Sequence, residues 1–169
     1  SGIYWSKISN STTEVEGSGR FLGKPYEPGA VLKNDVEFIL MQRKPGGYRS
    51  PPLAARILSI IHENNFDQWF RQVWTDIPGE PTDTHPAPFP RTLAARLIRM
   101  FSFCGDTVLD PFMGTGTTNI AAAEWGRDSI GLEVASDYFK QSCRRLKREE
   151  GQMFSPVEVK THERRSARI

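Results

Sequence analysis

The sequence has little of what marks a membrane protein, a disulfide-stabilised protein or a metalloprotein. No apolar run approaches the roughly 18–20 residues that a membrane-spanning helix needs. The two cysteines, Cys104 and Cys143, lie far apart and lack metal-ligand spacing. The three histidines do not cluster. We therefore expect a reduced cytoplasmic protein that has no metal site and does not associate with membranes.

Net charge is also small, because 22 basic residues face 20 acidic ones and leave a formal charge of +2. Composition alone therefore does not indicate nucleic-acid binding. The basic residues are nevertheless concentrated from Lys140 onward. This run is either a surface that meets nucleic-acid phosphates or a solvated helix face followed by a disordered tail at residues 151–169. The run contains Arg144, Arg145, Lys147, Arg148, Lys160, Arg164, Arg165 and Arg168.

The stretch from Asp106 to Glu133, DTVLDPFMGTGTTNIAAAEWGRDSIGLE, predicts a strand, a glycine loop, a helix and a second strand. Gly114 and Gly116 in the loop allow the backbone to approach a ligand closely and to adopt positive φ. The predicted elements are a buried parallel strand over Thr107–Leu109, a helix over Thr117–Trp125 and a strand over Asp128–Val134.

This order of elements is typical of a nucleoside-binding βαβ unit, in which the ligand lies beyond the carboxyl ends of the strands. An acidic residue after the second strand, here Glu133, accepts hydrogen bonds from a ribose diol in such units. Asn119 stands where a dinucleotide fingerprint has its third glycine, which disfavours NAD. No Gly-Lys-Ser/Thr follows the loop, so a triphosphate-binding P-loop is excluded.

The words DPFMGTGTT and IGLE resemble the S-adenosylmethionine (AdoMet) loop of DNA amino-methyltransferases, the restriction–modification family that methylates adenine N6 or cytosine N4. The resemblance implies an α/β, Rossmann-like methyltransferase fold whose mixed sheet includes an antiparallel hairpin. It also implies AdoMet as cofactor, double-stranded DNA as partner, and a prokaryotic, phage or plasmid type of protein. In this family the loop surrounds the methionine part of AdoMet, and the later acidic residue holds the ribose. The residues implied to bind the cofactor are Asp110, Phe112, Gly114, Gly116, Thr117 and Glu133.

The amino-terminal segment, residues 1–49, is predicted as an edge hairpin with a long basic loop. Its strands are expected over Ile3–Ile8 and Val36–Arg43, as antiparallel neighbours. The loop either contacts DNA backbone or is a surface insertion. The sequence of this segment is similar to the same part of the family at Trp5, Lys7, Gly23–Gly29 and Glu37–Leu40.

Residues 50–83 are predicted to be helical, over Pro52–Glu63 and Phe66–Trp74, and the resemblance places target recognition here. The aromatic side chains of the second helix are expected to pack in a core or between domains. Ser50-Pro51-Pro52-Leu53 lacks the aromatic that ends the family's catalytic loop, so it is interpreted as a helix start.

Residues 84–150 are predicted to be the AdoMet-binding segment. A helix is expected over Arg91–Ser102, with its arginines, Arg96 among them, facing outward. The sequence before this helix resembles the family segment that closes one wall of the cofactor pocket. The resemblance implies that Thr84, His85 and Phe89 bind the cofactor. A purely structural role for the lone histidine stays open.

The sequence contains no Asp/Asn/Ser-Pro-Pro-aromatic motif, so the catalytic residues are unassigned. In the family subclass with this motif order, the catalytic loop lies nearer the amino end. The hairpin and the AdoMet strands would then form two sheet fragments with unpaired inner edges, at a cost of about 1–3 kcal/mol per unpaired buried group. We therefore expect the chain to be the carboxyl-terminal part of an incomplete fold, with another chain or a larger protein supplying the catalytic half.

The function predicted is site-specific DNA methylation from AdoMet, with cytosine N4 favoured by the resemblance and adenine N6 left open. The chain is expected to be inactive alone. The alternative is a non-catalytic partner subunit that binds AdoMet or DNA. Methylation of RNA or of a small molecule is less consistent with the recognition-like insertion.

Overall fold

The computed structural model describes residues 2–7, 36–80, 88–149 and 157–162. The basic loop of the hairpin and most of the predicted tail at residues 151–169 lie outside these ranges. The chain divides into two compact units. One comprises Ser1–Gly46 and Asp67–Pro90, and the other Gly47–Phe66 and Arg91–Ile169. The strands within the described residues form two separate sheets, one of three strands and one of two. The predicted hairpin and the predicted parallel pair account for four of these strands.

The first unit is built on a mixed sheet in the order β2-β1-β3. β1 (Gly2–Ser6) pairs antiparallel with β2 (Val36–Leu40), which confirms the predicted pairing. β2 ends at Leu40, before the predicted end at Arg43, and Ile8 lies outside the described residues. β3 (Val73–Trp74) lies parallel to β1 on its other side.

Tryptophan side chains form the core of the first unit. Alternate residues of a strand point to the same face of a sheet, so neighbouring strands can bury their side chains together on that face. Trp5 and Trp74 are each 1% exposed, and Trp69 and Ile77 are buried with them. The Trp5 indole donates a 2.8 Å hydrogen bond to the carbonyl of Ile77, and the Trp74 indole donates a 2.9 Å bond to the carbonyl of Trp69. Both buried N–H groups are therefore satisfied.

The predicted helix over Phe66–Trp74 is wrong in its second half. α2 (Glu63–Trp69) ends five residues earlier, and Val73 and Trp74 belong to β3. The apolar spacing fits a helix, but pairing with β1 buries Trp74 as a strand residue, so tertiary context overrides the periodicity. Phe66 and Phe70, expected to pack in a core or between domains, are 52% and 48% exposed.

The predicted helix over Pro52–Glu63 is also shorter than expected. α1 (Leu53–Leu58) has Pro52 as its N-cap, and α2 begins only at Glu63. This confirms that Ser50-Pro51-Pro52-Leu53 starts a helix.

The second unit contains the predicted strand–loop–helix–strand segment as a parallel pair, in which Leu109 lies opposite Ile130. β5 ends at Gly131, three residues before the predicted end at Val134. The helices predicted over Arg91–Ser102 and Thr117–Trp125 and the strand predicted over Thr107–Leu109 each end within one residue of the predicted position. The elements are α3 (Arg91–Phe101), β4 (Thr107–Asp110), α4 (Thr117–Glu124), β5 (Asp128–Gly131) and α5 (Ser136–Glu149).

Small side chains let α3 and α4 pack closely. Ala94 and Ile98 of α3 meet Ala121 and Ala122 of α4, and all four are buried. The prediction that Arg96 faces outward is wrong, since its side chain is only 7% exposed. The buried positions of α3 spread over more than one helix face, so a single apolar stripe does not describe its environment.

The two faces of the β4–β5 sheet differ. Val108 packs against the α3–α4 core, whereas Leu109, Ile130 and Leu132 are 61%, 53% and 54% exposed. The expectation of a strand buried on both faces is therefore wrong for the described residues. Parallel sheets are normally covered on both faces. The exposed residues form a bare apolar face, defined by Leu109, Ile130 and Leu132.

Buried Arg127 joins the end of α3 to the start of β5. Its Nε donates to the Ser102 hydroxyl at 3.1 Å, and its Nη2 donates to the Ser102 carbonyl at 2.7 Å. Nη1 donates to the carbonyl of Trp125. Burial lowers the pKa of Arg127, against the opposing influence of Cys104 and Asp106. The carbonyl contacts satisfy the donors that burial removes from water.

Arg49 and Asp106 form a bidentate ion pair. Arg49 Nη1 donates to Asp106 Oδ1 at 2.9 Å, and Nη2 donates to Oδ2. The amide of Phe103 donates to the same carboxylate at 2.8 Å. The hydrogen bond from Arg49 is the largest influence that lowers the pKa of Asp106.

Within the described parts of the chain, none of the helices is long and apolar enough to cross a membrane.

We predict that Gly131→Ala destabilises the second unit, because α4 and the glycine loop leave no room for a methyl group there. A Cβ at this position would lie 2.9 Å from Asn119 Oδ1 and would overlap the Met113 side chain. Overpacking of this kind costs about 1–3 kcal/mol. Denaturant titration would measure the free energy of unfolding. The matched control is Gly47→Ala, where a Cβ meets nothing within 4 Å; equal stabilities of the two variants would contradict the packing argument.

We predict that Arg49→Met moves the pKa of Asp106 upward, towards the ordinary aspartate value of about 3.9. Because the folded-state pKa is depressed, the stability from ionised Asp106 is present above the unfolded pKa and is lost as pH falls through the folded value. Acid unfolding of Arg49→Met should therefore begin at a higher pH. Carboxyl NMR titration of Asp106 measures the shift, with exposed Arg144→Met as the control for lost charge; an unchanged Asp106 titration would exclude the pair as its cause.

Candidate functional site

The glycine loop follows the carboxyl end of β4 and is laid over the end of β5. The amide of Phe112 donates a 3.0 Å hydrogen bond to the Asp110 carboxylate, which turns the chain out of the strand. The amide of Met113 then donates to the carbonyl of Leu132 at 2.9 Å. Asp110 therefore shapes the entry to the loop, and Met113 anchors the loop on the segment after β5.

Two glycines make the turn. Gly114 has φ 53° and Gly116 has φ 83°, values that side-chain-bearing residues rarely adopt. A Cβ on Gly116 would lie 3.1 Å from the Cβ of Ser142 in α5. Gly116 is also the N-cap of α4 and offers no side-chain acceptor to the first amides of that helix. The loop therefore lies at the positive end of the helix, next to first-turn amides that have no side-chain cap.

Glu133 ties the loop to the segment after β5. Its Oε2 accepts a 2.9 Å hydrogen bond from the amide of Gly114, and its Oε1 accepts a 2.8 Å bond from the amide of Ala135. A carboxylate has about four acceptor positions, so each oxygen can accept a further hydrogen. A vicinal diol, with two adjacent hydroxyl donors, matches this capacity.

The structure places six of the predicted cofactor residues in one region of the second unit. They are Asp110, Phe112, Gly114, Gly116 and Thr117 in and around the glycine loop, and Glu133 after β5. Phe112 is 87% exposed, whereas Gly114 and Gly116 are buried. The Thr117 hydroxyl accepts a 3.0 Å hydrogen bond from Arg145, so this side chain faces α5. A role for Thr117 in ligand binding therefore falls to its backbone amide.

The three pocket-wall candidates are less defined. Phe89 lies in the first unit and is 36% exposed. Thr84 and His85 lie outside the described residues. Their part in cofactor binding stays a prediction from the sequence.

Two residues of this region make contacts that the sequence did not predict. Asn119 is buried in α4, where its amide nitrogen donates to the Ser129 hydroxyl at 3.0 Å and its Oδ1 has no partner among the described residues. Arg145 was counted only as part of a basic run. It lies three residues after buried Ser142 on α5, and no pattern in the sequence indicates its contact with the loop.

A cavity of about 780 Å³ lies beside β5, but it does not coincide with the predicted cofactor residues. Asn119 of α4, Ser129 of β5, Ser142 of α5 and residues 157–162 line it, and none of the six loop residues does. We place the ligand site by the loop, because the convergent donors and the Glu133 carboxylate are there. Over the described ranges, no three or more His, Cys, Asp and Glu side chains are grouped in a way that could hold a metal ion.

Comparison with known proteins identifies the same family that the sequence of the glycine loop resembles. The family model described as DNA methylase matches residues 2–144. The chain is similar to the type II methyltransferase M.MjaI of Methanocaldococcus jannaschii, at 46% identity over an alignment of 140 residues that covers 78% of this chain and 44% of that protein. It is similar to the DNA adenine methyltransferase YhdJ of Escherichia coli K12, at 32% identity over 86% of this chain and 51% of that protein.

Among solved structures, the chain is similar to a protein of Thermus thermophilus that is provisionally assigned as a DNA modification methylase and was solved in complex with S-adenosyl-L-methionine. The TM-score is 0.70 at 49% identity, over 88% of this chain and 52% of that one. The chain thus spans about half the length of these relatives. Its fold is the Rossmann-like fold of AdoMet-dependent methyltransferases. The chain belongs to the DNA methylase family of N6 and N4 amino-methyltransferases.

Proposed function

We propose that this chain is the AdoMet-binding half of a DNA methyltransferase, which transfers a methyl group to an exocyclic amine of a base in double-stranded DNA. The observation that carries the proposal is the Glu133 carboxylate, bonded to the amide of Gly114 across the glycine loop at 2.9 Å. This arrangement places an acceptor for a ribose diol beside backbone that has no side chain to exclude a ligand. The M.MjaI and YhdJ relatives are named as methyltransferases, which supports the same activity.

Each loop residue has a separate role in the proposal. Asp110 holds the loop entry by accepting from the amide of Phe112. Gly114 and Gly116 leave room for the methionine part of AdoMet, and Glu133 accepts hydrogen bonds from its ribose. Phe112 offers an exposed apolar surface next to the loop.

Transfer requires a target base whose amine reaches the bound methyl donor. Enzymes that modify bases in duplex DNA rotate the base out of the stack, and alignment of the two reactants then supplies much of the rate. Direct attack by the amine needs no covalent cysteine. The sequence of the glycine loop favours cytosine N4 as the target. Adenine N6 is the second choice, and adenine is the base in the name of the YhdJ relative.

Catalysis in this proposal needs further polypeptide. The bare apolar face of Leu109, Ile130 and Leu132 is the kind of surface that a parallel sheet covers with helices. We propose that the polypeptide that covers it also brings the Pro-Pro-aromatic loop. A non-catalytic AdoMet- or DNA-binding subunit is the second candidate, because the sequence contains Pro-Pro only in Ser50-Pro51-Pro52-Leu53, which starts α1.

We predict that the purified chain binds S-adenosylhomocysteine and that Glu133→Gln weakens binding by about tenfold or more. A hydrogen bond to a charged group contributes about 1.5–3 kcal/mol, and 1.4 kcal/mol is a factor of ten in affinity. Asp110→Ala should also weaken binding, because the loop entry loses its acceptor. Calorimetric titration measures each dissociation constant. Exposed Glu63→Gln is the control for lost charge; equal affinities of Glu133→Gln and the unaltered chain would remove Glu133 from the site.

We predict that the chain alone transfers no methyl group to DNA, because its sequence lacks the loop that holds the flipped base. The measurement is incorporation of radiolabelled methyl from AdoMet into duplex DNA, followed by separation of the nucleosides. Glu133→Gln sets the background. Turnover above it would refute the need for further polypeptide, and the product, N4-methylcytosine or N6-methyladenine, would identify the base.

A further inference from the structure

We propose that Arg145 of α5 is a positioning residue that holds the glycine loop in its ligand-binding shape. The inference rests on the proposed function and adds to it a residue outside the loop. Arg145 acts through the hydroxyl groups of Thr115 and Thr117, which flank Gly116.

The contact from Arg145 to the loop is two-pronged. Its Nη1 donates to Thr117 Oγ1 at 3.0 Å and to Thr115 Oγ1 at 3.3 Å. A guanidinium Nη carries two hydrogens in fixed directions, so one nitrogen can serve both hydroxyls. The two threonines lie on either side of the positive-φ residue Gly116. Arg145 therefore restrains the part of the loop that turns through the positive-φ glycine.

Close packing brings Arg145 within reach of the loop. Ser142, one helical turn earlier on α5, is fully buried, and its Cβ would lie 3.1 Å from a Cβ on Gly116. Residues three apart on a helix lie on the same face. The contact between Gly116 and Ser142 thus sets the distance between α5 and the loop, and Arg145 spans what remains.

Arg145 is itself held from the other side. Its Nε lies 3.4 Å from Glu149 Oε1, and the Glu149 side chain is only 12% exposed. The other Glu149 oxygen pairs with Arg91 Nη1 at 2.7 Å, and Arg91 Nε pairs with Glu124 at 3.0 Å. The ion pairs run from α5 through α3 to α4, so the guanidinium has little freedom to leave the threonines.

The loop is consequently restrained at both ends. Glu133 bonds the amide of Gly114 before the turn, and Arg145 bonds Thr115 and Thr117 around it. A loop that is already in its bound shape loses less conformational freedom when a ligand arrives. Removing Arg145 should therefore weaken cofactor binding although Arg145 does not touch the cofactor.

The test compares Arg145→Met with Arg144→Met, which removes the same charge from an exposed neighbour on the same helix. Calorimetric titration with S-adenosylhomocysteine should show about five- to tenfold weaker binding for Arg145→Met and an unchanged dissociation constant for Arg144→Met. Thr115→Val should weaken binding in the same direction. Thr115→Ser keeps the hydroxyl and should restore it. Circular dichroism checks that each variant is folded.

Amide hydrogen exchange of the ligand-free chain provides a second readout that does not need binding. Arg145→Met should accelerate exchange at Gly114, Thr115 and Gly116, and Arg144→Met should not. Unchanged exchange in Arg145→Met would overturn the inference, and weaker binding without faster exchange would make Arg145 a ligand contact instead. Failure of the unaltered chain to bind would count against the proposed function, while exchange would still decide the role of Arg145.

Discussion

The second unit depends on one carboxylate. Glu133 accepts hydrogen bonds from the amides of Gly114 and Ala135, and it thereby joins the loop after β4 to the segment between β5 and α5. The same carboxylate is the group that a ribose diol would meet. Because the glycines of the loop have positive φ and no side chains of their own, the loop shape has to be imposed by its neighbours. Glu133 does this on one side of the turn.

Close packing of neighbouring elements against glycine is the second requirement. A methyl group on Gly131 of β5 would overlap Met113 of the loop and lie 2.9 Å from Asn119 Oδ1 of α4, and one on Gly116 would lie 3.1 Å from the Cβ of Ser142 in α5. Buried alanines likewise let α3 and α4 pack closely. The small residues hold rigid elements around the loop, which is how a binding site gains precision from its scaffold.

Family membership and the fold rest on the match over residues 2–144 and on close structural relatives. Those relatives are about twice as long as the part that this chain spans. The bare apolar face of the second unit is consistent with a sheet that other polypeptide completes. The proposed function therefore rests on two features of the cofactor-binding half: its ordered loop and its partly covered sheet.

Local rules on the sequence were enough for the elements around the loop. The strand, glycine turn, alanine-rich helix and second strand follow from short-range periodicity and from the backbone needs of glycine, so they were predictable from the sequence. The cofactor roles of their residues stay a prediction. Tertiary packing decided the rest. Trp74 became a strand residue by pairing with β1, Arg96 was buried on a helix packed on several sides, and Leu109 remained exposed. Arg145 reaches Thr115 and Thr117 across about thirty residues of sequence, at a distance that periodicity within one helix cannot specify.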